Sequence, residues 1–171
     1  TTAQGIVGAY LHVGNWKLTA GRNFTEAEER AGKSVCIIGD RVRRELYGSG
    51  QPLGEEIRVQ KFSCQIIGLL GVKGQSAMGT DQDDVILMPI RTVQRRVTGN
   101  DNVSAILVSA SSARTIDSVK NGVESLMRER RKIAEDEENN FNVMDTRQIT
   151  QALSSTTRVM TLLLGAVAAV S

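Results

Sequence analysis

The run SVCIIG, residues 34–39, decides the fold, because it is a continuous apolar segment of the length that predicts a β-strand. Asp40 follows it directly and can cap a short helix over residues 41–47. Val42 and Leu46 lie four positions apart in that helix, on the face predicted to be inward. A strand followed at once by a helix predicts an α/β segment, which the residues further along extend.

A hairpin and a second strand–helix pair follow this segment. Residues 56–60 alternate polar and apolar side chains, residues 64–70 form a second apolar run, and the two are predicted to pair as a hairpin. Residues 84–88 (DVILM) predict a further strand, which Pro89 ends. A short helix is predicted over residues 90–97.

The second part of the chain also alternates strands with a helix. Residues 103–109 predict a strand, and Ser111 and Ser112 can cap the helix that follows. Residues 141–144 predict a returning strand, which completes a β-α-β unit. The basic run RERRK, residues 128–132, is either a solvated helix face or a docking patch. The apolar positions of the helix form one stripe: Ile116, Val119, Val123, Leu126 or Met127, and Ile133.

The chain closes on the apolar run VMTLLLGAVAAV, residues 159–170. As a helix it extends about 18 Å, against about 30 Å for the hydrocarbon core of a bilayer. From Asp145 onward apolar residues recur every three or four positions, which predicts a stalk helix that enters the membrane after Thr157. The chain starts at Thr1 rather than Met, and residues 1–19 do not show the pattern of a signal peptide, so we expect any targeting segment or earlier span to lie upstream. We expect a piece of a membrane protein, in which this stiff helix conveys motion between the body and the membrane.

Composition indicates that most of the chain folds in water. Its 171 residues are 40% hydrophobic and 23% charged, which is enough for one sizeable unit or two small ones. The net charge of +2 is small, whereas nucleic-acid binding domains usually carry a larger basic excess. We therefore expect no nucleic-acid partner.

The sequence contains no recognisable catalytic or metal-binding pattern. His12 is the only histidine, which leaves little scope for a nucleophile with a general base. The stretch GQSAMG, residues 74–79, has neither the spacing of a nucleophile elbow nor that of a phosphate loop. Asp81, Asp83 and Asp84 lack the glycine and the closing glutamate of a calcium loop, which favours carboxylates that cap turns. We predict no enzymatic activity, no cofactor and no metal for this chain.

Cys36 and Cys64 lie in two of the predicted strands, and two alternatives stay open for them. They can form a disulfide if the strands are neighbours in an oxidising compartment, or they can be free thiols in the core. Two cysteines alone do not identify the compartment.

The segment 73–84, called the contact loop below, is the best candidate for a contact surface. It has about a dozen residues without predicted helix or strand, and loops of that length are often functional. Its candidate partner-binding residues are Lys73, Gln75, Ser76, Met78, Asp81, Gln82 and Asp83.

A succession of short motifs lies between residues 15 and 89. The motifs are NWKL (15–18), GRNFT (21–25), VCIIG (35–39), LYG (46–48), PLG (52–54), IIG (66–68), KGQS (73–76), DV (84–85) and MP (88–89). This succession resembles the extracytoplasmic core domain of MacB-like ABC transporter permeases, the macrolide and lipoprotein exporter type related to the FtsX permeases. The run at residues 154–170 is similar to the entry of that family's second transmembrane helix.

The resemblance implies an α+β fold that combines a porter-like α/β part with a small inserted α/β part and ends in a helix leading into a transmembrane span. Residues 1–24 and 101–145 are then porter-like, with an N-terminal portion missing. Residues 25–100 form the inserted subdomain. Residues 146–171 form the stalk helix and the start of the transmembrane helix.

The resemblance also implies a location and partners. The domain is expected on the periplasmic side of the inner membrane, where it relays motion driven by a separate ABC nucleotide-binding domain and docks a periplasmic adaptor (membrane fusion) protein. The full protein is expected to be a homodimer or a paralogous heterodimer. The alternative is an extracytoplasmic ligand-sensing domain of a membrane receptor, which an enclosed apolar pocket favours.

Overall fold

The computed structural model describes residues 1–76 and 79–145 and divides the chain into a first unit, Thr1–Val108, and a second unit that begins at Ser109. Within those residues, no helix is both long enough and apolar enough to cross a bilayer. The predicted stalk and membrane entry, residues 146–171, lie outside the described residues. The domain boundaries expected from the family resemblance stay predictions.

The predicted strand within SVCIIG forms the centre of the first unit. It is β3, Val35–Ile38, and all four of its residues are buried. They are buried because β3 has a strand on each side and packed side chains on each face. The other strands are β1 (Thr2–Ile6), β2 (Leu18–Gly21), β4 (Glu56–Val59), β5 (Phe62–Leu70) and β6 (Val85–Pro89), in the lateral order β1-β6-β3-β5-β2, with β4 also pairing with β5.

The strand directions bring the contact loop to one edge of this sheet. β3 runs parallel to β5 and antiparallel to β6, and β1 runs parallel to β6. The end of β5 and the start of β6 therefore lie at the same edge as the end of β3. β5 pairs antiparallel with β4 through its first residues and with β2 through its last. The predicted hairpin and the strand predicted at 84–88 are confirmed, with small shifts in their bounds.

Short helices connect and cover the strands. They are α1 (Ala9–Val13), α2 (Glu26–Ala31), α3 (Asp40–Tyr47) and α4 (Ile90–Val93), and α4 continues as a π-helix at Gln94–Thr98. The single helix predicted over residues 90–97 therefore widens at Gln94. Gly99 ends it in the left-handed conformation, with φ at 67°.

Asp40 does not cap α3 through its side chain, contrary to the sequence prediction. Gly39 precedes the helix, and Asp40 is its first residue. The Asp40 carboxylate instead pairs with the guanidinium groups of Arg43 and Arg44, each at 3.0 Å. A negative charge in the first turn is still favourable against the helix dipole, so Asp40 stabilises the same helix end through a different contact.

Two apolar cores lie on opposite faces of the sheet. Side chains alternate between them along β3: Cys36 and Ile38 belong to the first core, and Val35 and Ile37 belong to the second. Side chains from α3, β4, β5 and β6 complete the first core, and side chains from α1, β1, β5 and β6 complete the second.

A disulfide joins Cys36 of β3 to Cys64 of β5 inside the first core. The two Cα atoms are 5.8 Å apart, and the residues are 28 positions apart in sequence. A loop of this length closed by a disulfide contributes about 3–4 kcal/mol in the chain-entropy account. Of the two alternatives left open by the sequence, the structure contains the paired form.

The second unit contains α5, Ile116–Arg131, which is entered through a 3₁₀ turn at Ala113–Thr115. Ser112 immediately precedes the turn, in agreement with the predicted helix start. Lys132 ends the helix in the left-handed conformation, with φ at 56°.

Two arginines of the basic run hold the segment that follows α5. Arg128 donates hydrogen bonds to the Ala134 carbonyl and to the Asn139 side chain. Arg131 donates to the Asn140 side chain at 2.8 Å. These two guanidinium groups are therefore engaged within the chain, a use that neither of the sequence alternatives included.

The strands predicted at residues 103–109 and 141–144 are wrong. Within the described part of the chain neither segment pairs with another strand, so the predicted β-α-β unit is not formed there. Val103, Ile106 and Leu107 are instead more than half exposed. A strand needs a neighbour for its N–H and C=O groups, and an apolar run predicts a side-chain pattern but not the presence of that neighbour.

An ion pair fixes the start of α2. Both guanidinium nitrogens of Arg22 donate to the Glu28 carboxylate, at 2.7 and 2.8 Å. Thr25 and Glu28 also form a reciprocal capping box, with the Thr25 hydroxyl accepting from the Glu28 N–H. Glu28 is only 8% exposed, and the hydrogen bonds from Arg22 lower its pKa to about 2.

We predict that the Arg22–Glu28 pair makes the free energy of unfolding of the first unit fall at low pH. The pKa of Glu28 is lower in the folded than in the unfolded chain, so its contribution is complete above about pH 4.5 and is lost as the pH falls towards about 2. Glu28→Gln should lower the free energy of unfolding at neutral pH by up to about 3 kcal/mol and flatten its dependence on pH in that window. Urea denaturation at several pH values measures both effects.

The matched control for this prediction is Glu26→Gln, which removes an exposed partner of Arg30 on the same helix. It should change the free energy of unfolding by less than about 1 kcal/mol. Equal acid sensitivity in the parent chain and in the Glu28→Gln variant contradicts the assignment.

Candidate functional site

The base of the contact loop is closed by a buried carboxylate. Asp83 is 4% exposed, and its two carboxylate oxygens accept hydrogen bonds from the backbone N–H groups of Lys73 at 2.7 Å and Gly74 at 3.0 Å. Asp83 lies two residues before β6, and Lys73 follows β5. One side chain therefore joins the two ends of the loop, as expected for a carboxylate that caps a turn.

Hydrogen bonds along the loop join its two arms. Gln75 and Asp81 form a β-bridge, and the Gln82 N–H donates to the Gly74 carbonyl at 3.1 Å. Nearer the tip, the Ser76 N–H donates to the carbonyl of Thr80 at 2.8 Å. The segment predicted to lack helix and strand is thus a narrow closed loop with defined internal contacts.

An ion pair connects the loop to α3. Arg41 donates to the Asp81 carboxylate at 2.8 Å and to Glu45, one turn further along its own helix, at 2.8 Å. Both carboxylates raise the pKa of Arg41, with Glu45 making the larger contribution. Hydrogen bonds from Arg41 and from the Asp83 N–H lower the pKa of Asp81. Asp81 therefore stays ionised and paired over a wide pH range.

A lysine connects the opposite arm to the turn after α1. The ammonium of Lys73 donates to the Gly14 carbonyl at 2.6 Å and lies 4.2 Å from the centre of the Trp16 ring, within cation–π range. Burial of this amine lowers the pKa of Lys73, and the nearby Asp83 carboxylate partly opposes the shift. The loop is thus attached at two separate points on the first unit.

Gly39 allows the base of the loop to approach the sheet. A Cβ atom at this position would lie 2.1 Å from the Asp83 carbonyl oxygen. The Gly39 N–H donates to the Val85 carbonyl, and the Arg41 N–H donates to the Asp83 carbonyl. The glycine at the end of SVCIIG is therefore required by the close passage of the loop backbone.

The charged residues predicted as partner contacts are engaged within the chain. Lys73 and Asp81 have the partners described above, and Asp83 is buried beneath the loop, where it supports the backbone. Gln75 is exposed and Gln82 is half-buried. Met78 lies outside the described residues. The structure thus brings the described predicted residues together in one loop. Lys73, Asp81 and Asp83 support the loop, and Gln75 faces solvent.

Sequence reasoning missed the supports of the loop, which are Arg41, Gly14, Trp16 and Gly39. The tryptophan offered a signal, because it is the only one in the chain and follows a glycine turn. Arg41 gave no comparable signal, since it is one of five charged residues in α3 and nothing in the local sequence distinguishes it from the others.

A groove of about 660 Å³ lies elsewhere on the first unit, beside α3 and β4. Val42 and Tyr47 line it from the helix, and Ile57 and Val59 line it from the strand. Burial, followed by the nearby Glu55 carboxylate, raises the pKa of the Tyr47 hydroxyl. The groove is open to solvent, so it is not the enclosed pocket expected of a ligand sensor.

We predict that Asp83→Asn loosens the contact loop. The amide keeps one acceptor and places an NH₂ group against a backbone N–H, so the free energy of unfolding should fall by about 1–3 kcal/mol. Hydrogen exchange at the Lys73 and Gly74 amides should accelerate at least about tenfold. The control is Asp101→Asn, at an exposed aspartate that lies outside the loop. Equal effects of the two substitutions contradict the role of Asp83.

Comparison with known proteins gives concordant matches. The family described as MacB-like periplasmic core domain matches residues 1–126. The chain is 38% identical, over 98% of its length, to the macrolide export ATP-binding/permease protein MacB of Chlorobium luteolum, of which it covers 25%. It is 31% identical, over 92% of its length, to the pyoverdine export ATP-binding/permease protein PvdT of Pseudomonas aeruginosa, of which it covers 23%. The chain thus spans about a quarter of the length of these relatives.

Solved structures agree with the fold. The periplasmic region of MacB from Actinobacillus actinomycetemcomitans superposes with a TM-score of 0.63 at 21% identity, over 89% of this chain and 64% of that one. The extracellular domain of the ABC-type transporter YknZ from Gram-positive bacteria superposes with a TM-score of 0.65 at 22% identity, over 84% and 69%. These two likenesses confirm a mixed α/β fold. Since the family match covers residues 1–126, more than half of the chain, this chain belongs to the MacB-like periplasmic core domain family.

Proposed function

We propose that this chain is the extracytoplasmic part of an ABC-type export permease, which docks a periplasmic adaptor through the contact loop and relays motion driven by ATP hydrolysis elsewhere in the permease. Family membership and two export ATP-binding/permease relatives support the transporter context. ATP hydrolysis is assigned to a nucleotide-binding domain outside this chain, and the full permease is proposed to be dimeric.

The construction of the contact loop is the observation that carries the docking proposal. Asp83 closes its base, Arg41 ties one arm to α3, and Lys73 ties the other arm to the turn after α1. A loop already ordered in this way loses little conformational freedom when a partner binds. Loops presented by a rigid scaffold are the usual place for recognition, and this scaffold is the centre of the sheet.

The same attachments support the relay proposal. A force on the loop tip is shared between α3 through Arg41 and α1 through Lys73, and the loop backbone continues directly into β5 and β6. β5 is in turn joined to β3 by the buried disulfide. Displacement of the loop is therefore coupled to the sheet as a body instead of being absorbed by a flexible connection.

The disulfide also supports an extracytoplasmic location. Disulfides form and persist in oxidising compartments such as the periplasm and are rare in the cytosol. The Cys36–Cys64 bond is buried in the core and is therefore structural in character.

A photo-crosslinker placed at Gln75 of the full permease tests the docking proposal. It should capture an adaptor protein in intact cells, identified by mass spectrometry. The matched control position is Lys61, an exposed residue at the turn before β5. That turn lies at the opposite end of β5, roughly 30 Å of strand away from the contact loop. Equal capture of the adaptor from both positions, or none from Gln75, contradicts docking through the loop.

The capture is also predicted to depend little on salt. The loop and its support contain two cations, Lys73 and Arg41, and three carboxylates, Asp81, Asp83 and Asp84, all engaged within the chain. Direct contacts to a partner then fall to uncharged groups such as the Gln75 amide. Crosslink yield should change by less than about twofold between roughly 0.05 and 0.5 M salt, because salt weakens attraction between the charges of two partners, and these charges are already paired within the chain. A loss of capture at high salt contradicts this proposal.

A phosphate-release assay tests whether ATP hydrolysis resides outside this chain. The purified chain should hydrolyse no ATP, whereas the full permease should, because the pattern of a phosphate loop does not occur in this sequence. Turnover by the purified chain above that of a boiled sample contradicts the assignment of ATP hydrolysis to another domain.

A further inference from the structure

We propose that the Cys36–Cys64 bond is installed by a disulfide donor while the chain is still unfolded, and that the folded protein neither forms nor exchanges it. The proposal goes beyond transport and docking. Disulfide formation must then act on this chain before the sheet can support the contact loop.

Both cysteines are buried in the folded chain. Cys36 is 0% exposed and Cys64 is 1% exposed. Thiol–disulfide exchange requires a thiolate to reach a sulfur atom along an unobstructed approach. In the folded first unit the surrounding core residues occupy that space, among them Ile38, Ile57 and Ile66.

The strands that carry the two cysteines are neighbours in the centre of the sheet. β3 and β5 are adjacent and parallel, and Cys36 lies opposite Ile66, two residues from Cys64. The cysteines are 28 positions apart in sequence, and the segment between them includes α3 and β4, which pack against the same core. A donor can therefore reach the sulfurs only before these elements close or after they open again.

The chemistry balances with a donor that carries a disulfide. One cysteine thiolate of the chain attacks the donor disulfide, which forms a mixed disulfide and releases one donor thiolate. The second cysteine thiolate then attacks the chain sulfur of the mixed disulfide, which forms the Cys36–Cys64 bond and releases the second donor thiolate. The chain loses two electrons, the donor gains them, and the two protons end on the donor thiols.

Two sources of this chemistry are possible, a small donor such as oxidised glutathione and an oxidising enzyme with a dithiol centre. A trapping experiment separates them. In intact cells, each single variant, Cys36→Ala or Cys64→Ala, keeps one thiol that can attack the donor disulfide but lacks the chain thiol that resolves the mixed disulfide. Each should therefore accumulate an adduct with the enzyme, and the double variant should form none. If oxidised glutathione alone acts, only glutathione adducts of the single variants form.

Whether the disulfide forms before or after folding is tested with reduced protein prepared in a reducing cytosol. Oxidation of the folded, reduced chain by oxidised glutathione should be at least about 100-fold slower than oxidation of the urea-unfolded chain. Its logarithmic rate should rise with urea with the slope of equilibrium unfolding, because reaction requires opening. The control is Lys61→Cys in a chain with both native cysteines replaced by alanine, whose exposed thiol should react at a rate independent of urea.

The possible results are decisive. If the reduced chain does not fold and gains its fold only on oxidation, oxidation precedes closure and the proposal stands. If the reduced chain is folded, as judged by a cooperative urea transition, and still oxidises at a urea-independent rate, the proposal is overturned. Protein isolated from the oxidising compartment with two free thiols, counted after alkylation in denaturant, also overturns it.

Discussion

The lateral pairing of β3 between β5 and β6 is the constraint on which the rest of the first unit depends. Four apolar residues in a row can be buried only where both faces of a strand are covered and both edges are paired. That requirement draws β5 to one side and β6 to the other. Their opposite directions leave the end of β5 and the start of β6 at the same edge of the sheet, one on each side of the end of β3. The segment joining them must then turn back at this edge, next to Gly39.

Packing at this edge explains how the described residues of the contact loop, 73–76 and 79–84, are held in place without a helix among them. The close approach of the loop backbone leaves no room for a side chain at Gly39, and the Asp83 carboxylate satisfies two N–H groups that would otherwise face the protein without acceptors. Arg41 is available for Asp81 only because α3 begins directly after β3. Support of the loop thus follows from the sheet topology, and the exposed Gln75 amide is left for other contacts.

Much of the first unit could be predicted from its sequence because its strands have strong local patterns. The apolar run at β3, the alternation at β4 and the proline that ends β6 each report a local environment. The strand predicted at residues 103–109 failed because pairing depends on a neighbour that local pattern does not encode. The contact loop was predicted from its length and polarity. Its supports were not, since Trp16 and Lys73 are 57 positions apart and meet only through the fold.

Because the loop's charges are paired within the chain, they also affect the rate at which a partner can associate. Complexes that form quickly are usually guided by complementary electric fields, whereas unguided protein pairs associate at about 10⁵–10⁶ M⁻¹s⁻¹. Opposite charges paired at the loop, such as Arg41 with Asp81, produce little field at a distance. In the proposed docking, selectivity rests on how long the partner stays bound rather than on how often it arrives. Confinement of the permease and its proposed partner near one membrane would then compensate for slow encounter in bulk solution.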